Sequence, residues 1–124
     1  MIVLVDSDVL IEISRGRDDG VISKWGDLGK SEEVILCSPV SLAELWQGAR
    51  PSEHRALTNL FDSLLCVPIT LCTGRRAGEL MRRYRKSHSL ELGDAFIAAA
   101  AMEHGAALCT RNRKHYPMPG LFFY

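Results

Sequence analysis

The chain alternates between short apolar runs and longer segments in which apolar residues recur every three or four positions. Short runs rich in Val, Ile and Leu predict strands, whereas the longer spacing predicts helices. The run from Ile2 to Val5 is apolar at every position, as expected for a central parallel strand covered by helices on both faces. Further strands are predicted at 33–37, 67–69 and 106–109, with an edge strand at 121–123. Helices are predicted at 7–14, 21–28, 40–49, 52–65, 70–86 and 90–103.

Several of these predicted helices have recognisable ends. Ser38-Pro39 indicates a helix start, with an N-cap followed by proline at the first helical position. Asp6 or Ser7 is expected to cap the first helix, and Ser52 and Ser89 are expected to cap two later ones. Gly105 is expected to close the last helix.

The alternation of strands and helices predicts the fold class. We expect an α/β protein with a three-layer α/β/α sandwich, built on a central, mainly parallel sheet of four to five strands. The 124 residues are enough for one domain with a core and too few for two, so residues 1–124 are predicted to form a single domain. In open parallel sheets, functional sites form beyond the carboxyl ends of the strands.

The amino-acid composition indicates the kind of protein and its cellular environment. Hydrophobic residues make up 47% of the chain and charged residues 24%, which is typical of soluble globular proteins. No apolar run is long enough to span a bilayer, and the N-terminal segment has no basic leader. The four cysteines form no CxxC pair, and Cys37, Cys66 and Cys109 lie in or beside predicted strands, as small buried residues would. We therefore expect a cytoplasmic protein with reduced thiols.

Charge is balanced overall but unevenly distributed along the chain. Residues 1–62 contain six basic and eleven acidic residues, whereas residues 63–124 contain nine basic and four acidic residues. Basic clusters occur at 75–76, 82–88 and 111–115. Such clusters can hold a polyanion, although a solvated helix face is an equally good interpretation of 82–88 taken alone.

Three acidic residues stand out because each lies in an apolar setting. Asp6 follows the first strand, Glu44 lies in a mostly apolar helix, and Asp94 is followed directly by alanine, phenylalanine and isoleucine. An unpaired charge in such surroundings is unfavourable, and aspartate is a poor residue for a helix interior. The three acids would be stabilised by sharing one hard cation such as Mg²⁺ or Mn²⁺. Structural alternatives remain open: Asp6 as a simple N-cap and Glu44 as an exposed helix residue.

Four ordered segments resemble the motifs of PIN-domain nucleases, and more narrowly of VapC-type toxins. The segments run from residue 2 to about 116 and are Asp6-Ser7-Asp8-Val9-Leu10-Ile11, Ser41-Leu42-Ala43-Glu44-Leu45, Gly93-Asp94-Ala95-Phe96-Ile97-Ala98-Ala99 and Leu108-Cys109-Thr110-Arg111-Asn112. The resemblance implies a Mg²⁺- or Mn²⁺-dependent endoribonuclease that is the toxin of a toxin–antitoxin pair. It also implies a toxin homodimer and a cognate antitoxin that blocks the site.

The resemblance also assigns roles to particular residues. Asp6, Glu44 and Asp94 would be the metal-binding, catalytic acids, and Thr110 and Asn112 would form a catalytic polar pair. Many relatives have a further acid where this chain has Asn112.

Nearby cations would complete such a site. Arg111, Arg113 and Lys114 would position RNA phosphates without reading bases. An apolar strip containing Trp25, Trp46, Leu57 and Phe61 would bind an antitoxin segment if it is exposed.

Three other interpretations remain open from the sequence. Asp6-Ser7-Asp8 also resembles the first motif of haloacid-dehalogenase-like phosphatases, in which Asp6 would be a nucleophile. A signalling receiver domain has a similar length and alternation. A PIN-like module that binds partners without catalysis is compatible with Asn112.

Overall fold

Five parallel strands form one sheet in the computed structural model, which describes residues 1–124. The strands are β1 (Ile2–Val5), β2 (Val34–Cys37), β3 (Leu65–Cys66), β4 (Ala107–Cys109) and β5 (Phe122–Phe123). They lie in the order β3-β2-β1-β4-β5. The helices are α1 (Ser7–Arg15), α2 (Asp19–Lys30), α3 (Pro39–Gln47), α4 (His54–Asp62), α5 (Leu71–His88) and α6 (Leu92–Glu103). The predicted α/β class with a parallel sheet of four to five strands is confirmed.

Alternating side chains of the central strands build the two sides of the core. Leu4 and Leu108 pack on one face with α5 and α6. Val3 and Val5 pack on the other face with α1, α2 and α4. Burial on both faces explains why β1 is apolar at every position.

The register of β1 determines where the chain can assemble a site. Leu4 pairs with Leu36 of β2, and Val5 pairs with Cys109 of β4. The carboxyl ends of these strands therefore lie at one edge of the sheet. The Asp6 N–H donates a 2.9 Å hydrogen bond to the Cys109 carbonyl, which brings the residues that follow β1 and β4 together.

Helices α5 and α6 form an antiparallel pair. The Thr73 hydroxyl near the start of α5 donates a 2.9 Å hydrogen bond to Glu103 at the end of α6. At the opposite end, only residues 89–91 separate the last residue of α5 from the first of α6. The C-terminal end of α5 thus lies beside the N-terminal end of α6.

Four predictions about the ends of elements are wrong. Ser52 does not cap α4, because it lies inside a short 3₁₀ turn at Pro51–Glu53 that precedes this helix. The helix expected at 52–65 ends at Asp62, because Ser63 terminates it with hydrogen bonds to the carbonyls of Asn59 and Leu60. The chain from Leu65 is then free to pair with β2, so the strand lies at 65–66 rather than 67–69. Ser89 does not cap α6; it adopts a left-handed conformation (φ 53°) that ends α5, and Glu91 is the residue before α6.

The four cysteines are free thiols. Cys37 and Cys109 are buried, and burial raises the pKa of Cys37 to about 12. Cys66, expected to be buried, is exposed because its strand forms the edge of the sheet. None of the helices combines the length and apolar character required to cross a bilayer.

Candidate active site

Asp6 lies at the centre of a hydrogen-bonded cluster at the carboxyl edge of the sheet. It is the N-cap of α1, and its Oδ1 accepts a 2.7 Å hydrogen bond from the Ser7 N–H. Its Oδ2 accepts hydrogen bonds from the hydroxyls of Thr110 and Tyr116, each at 2.8 Å. Asp6 is only 6% exposed, so these three donors replace part of the hydration that it loses.

Asp8 forms the second half of this acidic pair. Its Oδ2 accepts a 3.0 Å hydrogen bond from the Arg111 N–H and lies 3.4 Å from the Thr110 hydroxyl. Its Oδ1 is buried and has no hydrogen-bond partner. An unpartnered buried carboxylate oxygen is unfavourable, and a cation or water would satisfy it.

Asp94 joins the cluster through Tyr116. The Tyr116 hydroxyl oxygen lies 2.8 Å from Asp6 Oδ2 and 3.3 Å from Asp94 Oδ1, so the two carboxylates lie on either side of one phenol. Asp94 Oδ2 accepts a 3.2 Å hydrogen bond from the Glu91 N–H, which fixes the side chain in the first turn of α6. His115 Nδ1 lies 3.9 Å from the same oxygen.

Glu44 reaches the cluster from α3. The Ser7 hydroxyl lies 3.0 Å from Glu44 Oε1 and 2.8 Å from the Ser41 hydroxyl. Glu44 also lies against the first turn of α6, because a Cβ placed on Gly93 would be 3.2 Å from Glu44 Oε1. The absence of a side chain at Gly93 therefore lets this carboxylate approach the helix that carries Asp94.

Burial and mutual repulsion change the pKa values of these acids. Burial, and secondarily the charge of Asp8, raises the pKa of Asp6 from 3.8 to about 6, against the opposing effect of its three hydrogen bonds. Burial also raises the pKa of Asp8. Glu44 is exposed as a residue, but partial desolvation of its carboxylate, and then repulsion from Asp94 and Glu91, raise its pKa. A cation bound nearby would favour the ionised form of each carboxylate and so lower its pKa.

These acids fit a hard divalent cation. No three His, Cys, Asp or Glu side chains are positioned to hold one ion together. Mg²⁺ is usually bound by only one or two carboxylates and several waters, so a site of this kind does not require three direct ligands. The buried Oδ1 of Asp8 has no hydrogen-bond partner, and a cation beside it would satisfy this oxygen and stabilise the neighbouring carboxylate of Asp6. The structure thus brings Asp6, Glu44 and Asp94 together, and their role as metal ligands stays a prediction.

Thr110 and Asn112, the predicted polar pair, make different contacts. Thr110 donates to Asp6 and accepts a 3.1 Å hydrogen bond from the Asn112 N–H, so it orients the acid. The Asn112 side chain is partly exposed and makes no hydrogen bond within the protein, which leaves its amide free for a water or substrate.

Two of the three predicted phosphate-binding cations are engaged within the protein. Arg111 forms ion pairs with Glu12 at 3.5 Å and Asp18 at 3.3 Å. Arg113 donates to the Tyr124 carbonyl at 3.3 Å, and its guanidinium lies 5.2 Å from the centre of the Phe123 ring. Lys114 is exposed and forms no ion pair. Phosphate binding by these residues stays a prediction.

Sequence reasoning missed Tyr116 and Ser7. Tyr116 is 3% exposed, and burial together with the charges of Asp6 and Asp94 raises its pKa, so it remains a neutral hydrogen-bond donor. Its position after the fourth motif, in an irregular segment, gave no signal beyond that of an ordinary core tyrosine. Ser7 follows Asp6 directly, and only the packing of α1 against α3 reveals its contact with Glu44.

Comparisons with known proteins point to one family. The family model for the PIN domain matches residues 3–121. The chain is 42% identical over 121 residues to ribonuclease VapC10 from Mycobacterium tuberculosis, an alignment that covers 94% of this chain and 86% of that protein. It is 34% identical over 116 residues to ribonuclease VapC19 from the same species, covering 93% and 92% of the two chains.

A solved structure is similar as well. A chain of a toxin–antitoxin complex from Klebsiella pneumoniae superimposes with a TM-score of 0.74 at 27% identity, covering 96% of this chain and 94% of that one.

Proposed function

The chain belongs to the PIN-domain family, and we propose that it is a divalent-metal-dependent endoribonuclease that acts as the toxin of a toxin–antitoxin pair. The observation that carries the proposal is the convergence of acids from three separated segments, and of two hydroxyl donors from a fourth, on one edge of the sheet, centred on the 2.8 Å hydrogen bond between Tyr116 and Asp6. Near-complete alignment with VapC ribonucleases supports RNA as the substrate. Membership of this family replaces the phosphatase and receiver-domain interpretations.

Asp6, Glu44 and Asp94 would hold Mg²⁺ or Mn²⁺ through a combination of direct contacts and bound waters, with Asp8 close to Asp6. Such an ion supplies charge that polarises a phosphodiester, lowers the pKa of a bound water and stabilises the leaving oxygen. The protein residues around the acids determine their orientation. Thr110 and Tyr116 hold Asp6, Ser7 holds Glu44, and Tyr116 with the Glu91 N–H holds Asp94. Hydrogen bonds of this kind keep carboxylates in a productive geometry before substrate binds.

Replacing Asp94 with asparagine tests the catalytic role. Asparagine retains an oxygen that can accept the Glu91 N–H, so α6 should keep its first turn while the negative charge is lost. We expect purified protein to cleave single-stranded or loop RNA with Mg²⁺ or Mn²⁺, and the Asp94→Asn variant to lose this activity with an unchanged circular dichroism spectrum.

The matched control is Asp27→Asn, which removes an exposed carboxylate from α2. It should cleave RNA like the wild type. Cleavage that continues in excess chelator, or in the Asp94→Asn variant, would contradict the proposal. Wild-type protein that binds RNA and antitoxin but never cleaves would support the inactive-module interpretation instead.

The proposal includes a cognate antitoxin that binds this chain. The similar structure from Klebsiella pneumoniae is a toxin–antitoxin complex. The apolar strip expected to receive an antitoxin is only partly exposed: Leu57 and Phe61 are buried, whereas Trp46 is 40% exposed. Trp46 stacks on His54, with ring centroids 4.0 Å apart, at the mouth of a groove between α3 and α4.

This groove gives a test of the partner. If the antitoxin binds there, Trp46→Ala should weaken the complex by about 2 kcal/mol or more, as expected for a central aromatic contact. Phe122→Ala is the matched control, because Phe122 is a 72% exposed aromatic residue on the edge strand β5. Equal affinities of the two variants, measured by titration calorimetry with the antitoxin, would place the partner elsewhere.

We further propose that residues 1–124 act as one nuclease domain in the cytoplasm and associate as a homodimer. The exposed apolar side chains of Leu65, Ile69 and Leu71 follow one another near the β3 edge, with exposures of 62%, 43% and 89%. Association of this surface would remove apolar area from water. Light scattering of the wild type and of a Leu71→Glu variant measures the oligomeric state, and a monomeric wild type would refute the dimer.

A further inference from the structure

The C-terminal half of α5 carries a group of exposed cations close to the candidate active site. Helix α5 runs antiparallel to α6, and only residues 89–91 connect its last residue to the helix that carries Asp94. The four Cα–Cα steps from His88 to Leu92 span at most about 14 Å. The last turns of α5 therefore border the same edge of the sheet as the acidic cluster.

The cations on these turns are unpaired. Arg82, Arg83, Arg85 and Lys86 are all exposed, and none has a carboxylate oxygen within 4.0 Å. Residues three and four positions apart share one side of a helix, which places Arg82, Arg85 and Lys86 together. These three side chains line one shallow surface hollow, and we call them the α5 basic face.

Helix stability alone does not account for this arrangement. Cations near the C-terminal end of a helix interact favourably with the helix dipole. That effect needs only one or two charges, and like charges three and four residues apart repel each other. Glu79 is the one acidic residue on α5 itself, where it shares a second hollow with Arg82 and Arg83. The density of positive charge therefore exceeds what the helix itself requires.

Other cations near the acids have different partners. Arg111 is held by Glu12 and Asp18, and Arg113 by the C-terminal residues Phe123 and Tyr124. Lys114 and Arg15 are also exposed and form no ion pair, and Arg15 shares a surface hollow with Glu44. On α5, three unpaired cations are grouped on one side of a single helix.

We propose that the α5 basic face binds backbone phosphates of the RNA strand whose scissile phosphate lies at the acidic cluster. This inference rests on the proposed ribonuclease function. Flexible Arg and Lys side chains suit phosphate contacts, which fix the path of the strand without selecting its sequence. The face thus acts in substrate positioning, and it contacts nucleotides outside the cleaved bond.

The test removes the charges and keeps the helix. The variant Arg82→Gln/Arg85→Gln/Lys86→Gln retains good helix formers at exposed positions. The matched control Lys30→Gln/Arg55→Gln/Arg75→Gln removes the same charge from exposed residues of α2, α4 and the opposite end of α5. Both variants should have circular dichroism spectra and thermal midpoints close to those of the wild type.

Two measurements test the proposal directly. Affinity for a fluorescent single-stranded RNA is measured by anisotropy over a range of salt concentrations. We expect the basic-face variant to bind about tenfold or more weakly at moderate salt, and its slope of log affinity against log salt to fall by about 2, as expected for three lost phosphate contacts. In cleavage assays, kcat/KM should fall for a long RNA and remain unchanged for an oligonucleotide too short to reach α5.

The outcomes separate this inference from the proposed function. If the wild type cleaves RNA and the basic-face variant matches it in affinity and salt slope, the inference is wrong and the ribonuclease function stands. An equal loss in the control variant would also refute it, because the effect would then reflect net charge. If the variant loses affinity for the antitoxin alone, the face is a protein-binding surface. If the wild type cleaves no RNA under any condition, the proposed function itself fails.

Discussion

Replacing Asp6 with asparagine is expected to abolish RNA cleavage and to make the folded chain more stable at neutral pH. Asp6 is buried, and its pKa is raised from 3.8 to about 6. The folded state therefore binds a proton more tightly than the unfolded chain does. Linkage requires that the stabilisation associated with protonated Asp6 is complete below about pH 4 and is lost as the pH rises through about 6.

The magnitude follows from the two pKa values. The difference between 3.8 and about 6 corresponds to about 3 kcal/mol of folding free energy that the ionised carboxylate loses above pH 6. Asparagine carries no charge and is as good an N-cap as aspartate. Its amide group can donate to the hydroxyl oxygens of Thr110 and Tyr116, whose protons can turn toward Asp8 and Asp94. Allowing for imperfect hydrogen bonds, we expect a gain of about 1–3 kcal/mol at pH 7.

Urea denaturation in a chelating buffer, at several pH values from 4 to 8, measures this gain. The difference in unfolding free energy between Asp6→Asn and the wild type should be near zero at pH 4 and reach its full value by about pH 7. Asp27→Asn, which removes an exposed carboxylate, should follow the wild type throughout. A difference that does not change with pH, or a wild type that gains stability relative to Asp6→Asn between pH 4 and 7, would refute the reasoning. Added Mg²⁺ should stabilise the wild type and leave the variant unchanged, because ligand binding stabilises only the state that binds.

Two further changes test the support around the acids. Tyr116→Phe removes the buried hydroxyl between two carboxylates. The variant should have an unfolding free energy about 1.5–3 kcal/mol lower in urea denaturation and a weaker Mn²⁺ affinity in calorimetry. An unchanged Mn²⁺ affinity would exclude a role of this hydroxyl in orienting the acids. Gly93→Ala introduces a methyl group 3.2 Å from Glu44 Oε1, so cleavage should slow while the thermal midpoint remains within a few degrees. Gly29→Ala, which meets no atom within 4 Å, is its control, and equal cleavage rates for the two variants would show that Glu44 tolerates displacement.

The sequence was sufficient to predict the layers of the fold and the residues at the ends of the central strands. The uniformly apolar β1 and the Ser38-Pro39 helix start are local signals, and each has one physical interpretation. Asp94 stood out because an aspartate followed by an alanine-rich run is unusual inside a helix, and the structure places it in the first turn of α6, where a carboxylate is favourable. These residues converge in space because parallel strands place their carboxyl ends at one edge.

The hydrogen-bonding residues of the site could not be predicted in the same way. Tyr116 contacts Asp6 across 110 positions of sequence, and only the packing of the irregular segment after β4 brings its hydroxyl to the acids. Arg111 looked like a free phosphate ligand because its partners, Glu12 and Asp18, belong to the first third of the chain. Leu65 fitted the apolar spacing of a helix, but α4 ends before Ser63 and Leu65 therefore lies in strand β3.

The order in which the ribosome makes this chain controls when it can become harmful. Asp6 leaves the exit tunnel first, but the two hydroxyls that hold it belong to Thr110 and Tyr116. A nascent polypeptide whose residues 106–121 are still covered has neither β4 nor those donors beside β1. The hydrogen bonds that orient Asp6 therefore form only after this late segment has been translated and released, so the acidic cluster of a growing chain is incomplete until synthesis is nearly finished.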